Sequence, residues 1–278
     1  MKALYDDVSL RMSKTITRAY STSFSLGISF LSRKFHDPIY GIYGFVRIAD
    51  EIVDTFHAYN KRKLLEEFWE DTYQAIDRGI SLNPVLNSFQ AVVNEYDIDR
   101  ELIDTFLRSM EMDLTEKVYD QNGYEEYILG SAEVVGLMCL KVFVEGNKEQ
   151  YETLKPYAMK LGSAFQKINF LRDLHADYET MGRTYFPGVD MTEFNEDIKK
   201  QIEADIEIDF AQGLEGILRL PKTSRFGVYV AYVYFYALLQ KIKNTPSTRI
   251  LQERIRIRNR NKIALLLRSY VRYSFNAL

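Results

Sequence analysis

A chain of 278 residues with 46% hydrophobic and 27% charged residues carries enough apolar surface for a large core and is excluded from the disordered class. Its length suits one domain over 1–278, and no segment reads as a linker. The net charge of -3 removes any general attraction to nucleic acid, and the lone Cys139 rules out a disulfide framework or a cysteine zinc site.

Apolar residues recur at helical spacing almost throughout, and alternating strand-like runs are missing, so the chain reads as all-α. The first predicted helix, 3–20, carries Asp6, Asp7, Arg11, Lys14 and Arg18 before any apolar run, which is wrong for a secretory signal. A second helix is predicted over 38–57, started by Asp37-Pro38, then one over 61–79. Asn83-Pro84 starts a helix over 84–96, followed by 100–118 and 123–145. Within the last of these, Gly130, Ser131, Ala132 and Gly136 read first as tight helix packing and second as cavity lining. Further helices are predicted over 149–180, 192–219, 222–243 and, behind Thr245-Pro246, 247–275. Ten helices exceed a four-helix bundle. The apolar stretch Gly227 to Leu239 is shorter than the roughly 20 residues of a spanning helix, so a cytoplasmic protein is expected. From Arg249 onward there are eight Arg or Lys against Glu253 alone, an end suited to a solvated face, to diphosphates or to an anionic inner membrane surface.

Two helices share a chemical pattern. On the first, Asp50 and Asp54 stand one turn apart with Arg47 just below. On the second, Gln166, Asn169, Asp173 and Asp177 form one stripe beside Arg172. Acids at i and i+4 repel one another, the more so among residues such as Phe45, Ile52, Phe165 and Leu171. They read either as surface acids paired with nearby Lys and Arg or as a site for a cation. With no His or Cys cluster, an all-oxygen Mg²⁺ site is the natural choice, shared with substrate phosphate oxygens.

These residues resemble the squalene and phytoene synthase family of head-to-head prenyl synthases over nearly the whole chain. Ser21-Thr22-Ser23-Phe24-Ser25 is similar to that family's amino-terminal serine segment, and Ile42 through Asp54 to its first aspartate motif. Gln166 through Asp173 with Asp177 resembles the second motif, and Gly182-Arg183-Thr184-Tyr185-Phe186-Pro187 follows as the family's arginine-tyrosine segment does. The resemblance implies an isoprenoid-synthase fold of about ten helices around a central cavity. It implies Asp50, Asp54, Asn169, Asp173 and Asp177 as metal ligands, with Glu51 where many relatives have a further acid. It implies Ser21, Ser23, Phe24, Tyr43, Arg47, Gln166, Arg172, Arg183 and Tyr185 as residues that hold substrate or orient the ligands, although Ser21 and Ser23 also suit a helix cap and Tyr185 ordinary core. Two departures stand out: Leu129 occupies a position where relatives often have tyrosine, for which nearby Tyr127 is a candidate substitute, and Tyr20 stands where some have histidine.

The implied reaction ionises one allylic diphosphate and adds the cation to a second, forming a cyclopropyl diphosphate that rearranges to a linear hydrocarbon. Mg²⁺, with Mn²⁺ as an alternative, is the expected cofactor, and NADPH is not expected. The expected product is phytoene from two C20 diphosphates in carotenoid biosynthesis; squalene or dehydrosqualene from two C15 diphosphates is the alternative. Phe24, Leu26, Leu129, Val134 and Leu137 are expected to set the chain length. Terpene cyclases, chain-elongation enzymes and di-iron proteins fit the acid pattern less well. A catalytically silent partner subunit is the non-enzymatic reading, against which four intact aspartates argue. Peripheral membrane contact for product release remains open.

Overall fold

The computed structural model describes residues 1–116, 118–257, 265–267, 269–270 and 273. Among them no strand forms; Val118 and Thr184 make an isolated bridge. The helices run α1 Lys2–Tyr20, α2 Thr22–Ser29, α3 His36–Asp54, α4 Lys61–Arg78, α5 Pro84–Tyr96 and α6 Arg100–Thr115. They continue with α7 Gln121–Ile128, α8 Val134–Phe143, α9 Lys148–Met181, α10 Glu196–Arg219, α11 Lys222–Lys243 and α12 Ser247–Ile250. A 3₁₀ turn, Arg33–Phe35, leads into α3, and a π-helical turn, Leu129–Glu133, joins α7 to α8.

Start signals worked where a side chain could reach the backbone. Asn83 Oδ1 accepts from the Val85 amide at 3.0 Å and opens α5 as expected. Asp37 does not cap: α3 begins one residue earlier, and Asp37 lies in its first turn, where its charge favours the positive end of the helix dipole. Thr245 is likewise not the cap of α12, whose N-cap is Pro246.

Three expected elements need correction. α2 was not anticipated; the chain breaks after Tyr20 because Ser21 is extended and its Oγ accepts from the Phe24 amide at 3.2 Å. The predicted helix over 123–145 is two helices around the π turn. The predicted helix over 247–275 is helical only to Ile250 before an irregular stretch through 257, and much of its remainder lies outside the described residues. Ile255 and Ile257 are both buried there with Arg256 exposed between them, an alternation natural to an extended segment.

The apolar faces close into two cores. In the first, Phe45 of α3 stacks on Phe89 of α5 at 3.9 Å and packs against Phe68 and Phe106. In the second, Phe170 of α9 stacks on Tyr185 at 4.1 Å, with Phe210, Leu238 and Ile242 from α10 and α11. Phe45 has 0% exposure, so Phe45→Ala should cost about 3–5 kcal/mol in urea unfolding. A loss under about 1 kcal/mol would deny that this stack anchors α3.

Candidate active site

Between α2, α3, the π turn, α8, α9, α10 and α11 lies a cavity of about 570 Å³. One end is polar, with Ser21, Ser23, Arg47, Asp50, Gln166, Asn169, Arg172 and Arg254 in its wall. The other is apolar, reaching Leu31, Ile39, Phe143, Leu154 and Leu220. The small-residue segment serves both readings made of it. Gly130 packs so closely on α6 that a Cβ there would lie 2.5 Å from Ser109 Cβ, whereas Ser131, Ala132 and Gly136 line the cavity. Gly162 of α9 is pressed against the π turn, its would-be Cβ 2.8 Å from the Ala132 carbonyl. Gly162→Val should therefore spread these walls, lowering both the melting temperature and substrate affinity; unchanged affinity would contradict the close contact.

α3 and α9 carry the two acid pairs near the polar end, where Asp50 lines the cavity and Asp54, Asp173 and Asp177 lie outside its wall. Arg47 pairs with both Asp50 and Glu51, and its guanidinium lies over the Tyr20 ring at 4.3 Å. Tyr43, one turn below Arg47, stacks on Phe24 at 4.8 Å. Glu51 therefore turns to Arg47 and is not part of the cavity wall. Asp173 is held by Arg172 and by Arg254, at 2.6 Å to the latter. Asp54 lies 3.5 Å from Arg183, which follows the end of α9 because Gly182, at φ +63°, terminates the helix.

Burial works against the charges. Asp50 is pushed up to about 6, first by burial and then by the charge of Asp54. Asp177 is pushed up to about 7 by burial and then by Asp173. Asn169 donates to Gln166 Oε1 at 3.4 Å, yet its own buried Oδ1 has no hydrogen-bond partner. Acids whose charge burial opposes, together with an orphaned amide oxygen, are a donor set suited to a hard divalent cation. Among the described residues no three His, Cys, Asp or Glu side chains converge as a finished cage.

Two residues at this end escaped the sequence reading. Asp113 of α6 is buried and receives the Tyr127 hydroxyl at 2.8 Å and the Tyr185 hydroxyl at 3.3 Å. Its carboxylate lies 3.2 Å from Arg183, and its backbone carbonyl accepts from Arg183 Nη2 at 2.7 Å. A lone acid on the apolar stripe of Ile103, Phe106, Leu107 and Met110 was the available signal. Arg254 carried no signal to separate it from the other arginines of the basic end. Arg183 and Tyr185 thus stand behind the acids and are not part of the cavity wall, while Tyr127 sits in the second core.

Asp113 is also pushed up, to about 7, chiefly by burial. An acid raised above its unfolded value near 3.9 keeps its proton in the native state after the unfolded chain has released it. Stability is then lost as pH rises from about 4 to 7. Metal-free protein should accordingly melt lower at neutral than at mildly acidic pH, and Asp113→Asn should shrink that difference. An unchanged difference in the variant would exclude Asp113 as a contributor.

The expected chain-length residues are redistributed. Phe24 lines the cavity, but Leu26 faces a small separate crevice beside Val230 and Leu265. Val134 and Leu137 are buried in the first core and Leu129 packs against it, because the π turn rotates that face of α8 away from the cavity. Val135, Gly136 and Cys139 take their place.

An all-α shell enclosing a cavity between two acid-bearing helices is the isoprenoid-synthase fold. A crystal structure of a dehydrosqualene synthase in complex with ligand superposes with a TM-score of 0.84 at 20% identity, covering 97% of this chain and 98% of that one. The squalene/phytoene synthase family profile matches residues 17–261, and the chain belongs to that family of prenyltransferases. Among curated relatives, the 4,4'-diapophytoene synthase of Staphylococcus haemolyticus is 28% identical over 199 residues. That match takes in 68% of this chain and 66% of the relative, just under two thirds of its length. The phytoene synthase of Arthrospira platensis is 27% identical over 84% of each chain.

Proposed function

We propose that this chain, as a single helical domain, catalyses the metal-dependent head-to-head condensation of two prenyl diphosphates through a cyclopropyl diphosphate, using two C20 diphosphates to form phytoene. The observation that carries this reading is the division of one cavity into a polar end, lined by Asp50 and Arg47 of α3 and by Gln166, Asn169 and Arg172 of α9, and a long apolar end. Arg172 and Leu154 on α9 are 18 residues apart, so the wall between them extends about 27 Å at the α-helical rise.

Asp50, Asp54, Asn169, Asp173 and Asp177 would hold Mg²⁺, which supplies Lewis-acid charge to a departing diphosphate. Arg47, Arg172 and Arg254, now paired with those acids, are placed to transfer their hydrogen bonds to diphosphate oxygens when a cation takes the carboxylates. Arg183 orients Asp54 from behind, and Asp113 with Tyr185 holds Arg183 in place. Glu51 acts on Arg47. Ser21 fixes the turn that brings Ser23 and Phe24 to the cavity. Phe24, Tyr43 and Phe165 present rings to the cavity, where they exclude water and favour a carbocation by about 0.5–2 kcal/mol each.

Small side chains in the apolar wall, Ala132 and Ala158, favour the longer C20 chain because they leave width along it. Similarity to a 4,4'-diapophytoene synthase keeps a C15 substrate as the second reading. Competition between equal C15 and C20 diphosphates, with and without NADPH, separates the two. A dominant C40 hydrocarbon independent of NADPH is expected. A dominant C30 product would overturn the C20 assignment and leave the head-to-head reaction standing.

A further inference from the structure

We propose that the outward face of α1, together with the turn at Ile80–Leu82, docks on an anionic lipid bilayer. The polarity of α1 is inverted. Its inner face is Ser9, Ser13 and Thr17, each 0% exposed, whereas Leu4, Val8 and Met12 are 64%, 36% and 47% exposed. Spacing of four places those three in one stripe along the helix.

The orientation is fixed from inside. Ser13 Oγ and Ser88 Oγ share a hydrogen bond of 2.6 Å, and Asn87 donates to Ser9 Oγ at 3.2 Å, so α1 cannot roll its apolar side inward without orphaning α5. Tyr5 donates its hydroxyl hydrogen to the Ser81 carbonyl at 2.7 Å. The turn that carries Ile80, 41% exposed, and Leu82, 95% exposed, therefore lies beside the same end of α1. Two separate elements thus offer apolar side chains to water at one place, which single scattered exposures do not explain.

Charge identifies the occupant. Arg11 neighbours Met12 in the stripe and pairs with the exposed Asp7, Arg18 continues the same side, and exposed Arg78 precedes the turn. Apolar side chains bordered by arginines suit anionic headgroups over acyl chains. A second copy of this chain would instead set the same arginines against one another across a two-fold interface. The surface does not depend on the proposed reaction, although a hydrocarbon product gives it a purpose: α1 ends at Tyr20, in the cavity wall.

The test is sedimentation of the full chain with phosphatidylcholine vesicles containing about a third phosphatidylglycerol. The wild type should pellet with them and be released by salt. The triple variant Leu4→Ser, Val8→Ser, Met12→Ser should partition at least about tenfold less, with melting temperature and detergent-assayed turnover unchanged. Leu82→Ser, which leaves α1 untouched, should lose several-fold. Wild-type protein that stays in solution, or a triple variant that binds undiminished, would overturn the assignment. So would a wild-type dimer that the triple variant splits. Vesicle binding without any condensation product would leave the surface standing and sink the reaction instead.

Discussion

Asp50→Asn and Asp173→Asn are each expected to lower turnover by at least about a hundredfold, because each removes one full charge from the site that would hold the cation. Their effects on folding should differ. Asp50 is raised by burial and by Asp54, so the amide relieves a repulsion and the metal-free variant should melt at or slightly above wild type. Asp173 is paired with Arg172 and Arg254, so its amide loses two ion pairs and should give no such gain. Turnover and calorimetry on the same preparations test both statements. If both variants kept more than about a tenth of wild-type turnover at saturating Mg²⁺, the ligand assignment would be wrong.

Arg183→Ala should be the most damaging of the arginine changes. Arg183 joins Asp54, Asp113 and Tyr185, and its removal leaves Asp113 buried without its cation. That exposes the protein to a loss of about 3 kcal/mol, limited by the ease with which Asp113 takes up a proton. Adding Asp113→Asn removes the orphaned charge, so the double variant should regain stability. It should not regain turnover, since Asp54 would still lack the guanidinium that orients it. Recovery of both together would reduce Arg183 to a structural residue; recovery of stability alone separates the two roles.

The outline of the fold was legible because the strongest sequence signals are local. α5 begins at the Asn83-Pro84 signal, and the helical periodicity of α9 and α11 carries through almost unbroken. The end of α1 at Tyr20 and the cap at Ser21 were legible, whereas α2 was not, since its eight residues hold little more than two turns of helical periodicity. Nor was the π turn, one added residue in a helical period that rotates Val134 and Leu137 into the core. At the site, the acids with Arg47 and Arg172 were readable because i, i+3 and i+4 spacing is geometry written along a single helix. Asp113 and Arg254 meet Arg183 and Asp173 across 70 and 81 residues of chain, and no periodicity reports contacts of that kind. Ile255 and Ile257 show the same limit: their alternation was hidden within a segment whose composition reads as helix.

The proposed reaction uses one cavity to ionise a prenyl diphosphate and join the cation to a second. Purified protein incubated with labelled C20 diphosphate, with Mg²⁺ or with chelator, tests it most directly. Extraction should yield a C40 cyclopropyl diphosphate or hydrocarbon together with released inorganic diphosphate, and chelation should abolish both. Recovery of intact diphosphate in the presence of Mg²⁺, or of the C20 alcohol alone with neither C15 nor C20 substrate ever coupled, would contradict the account.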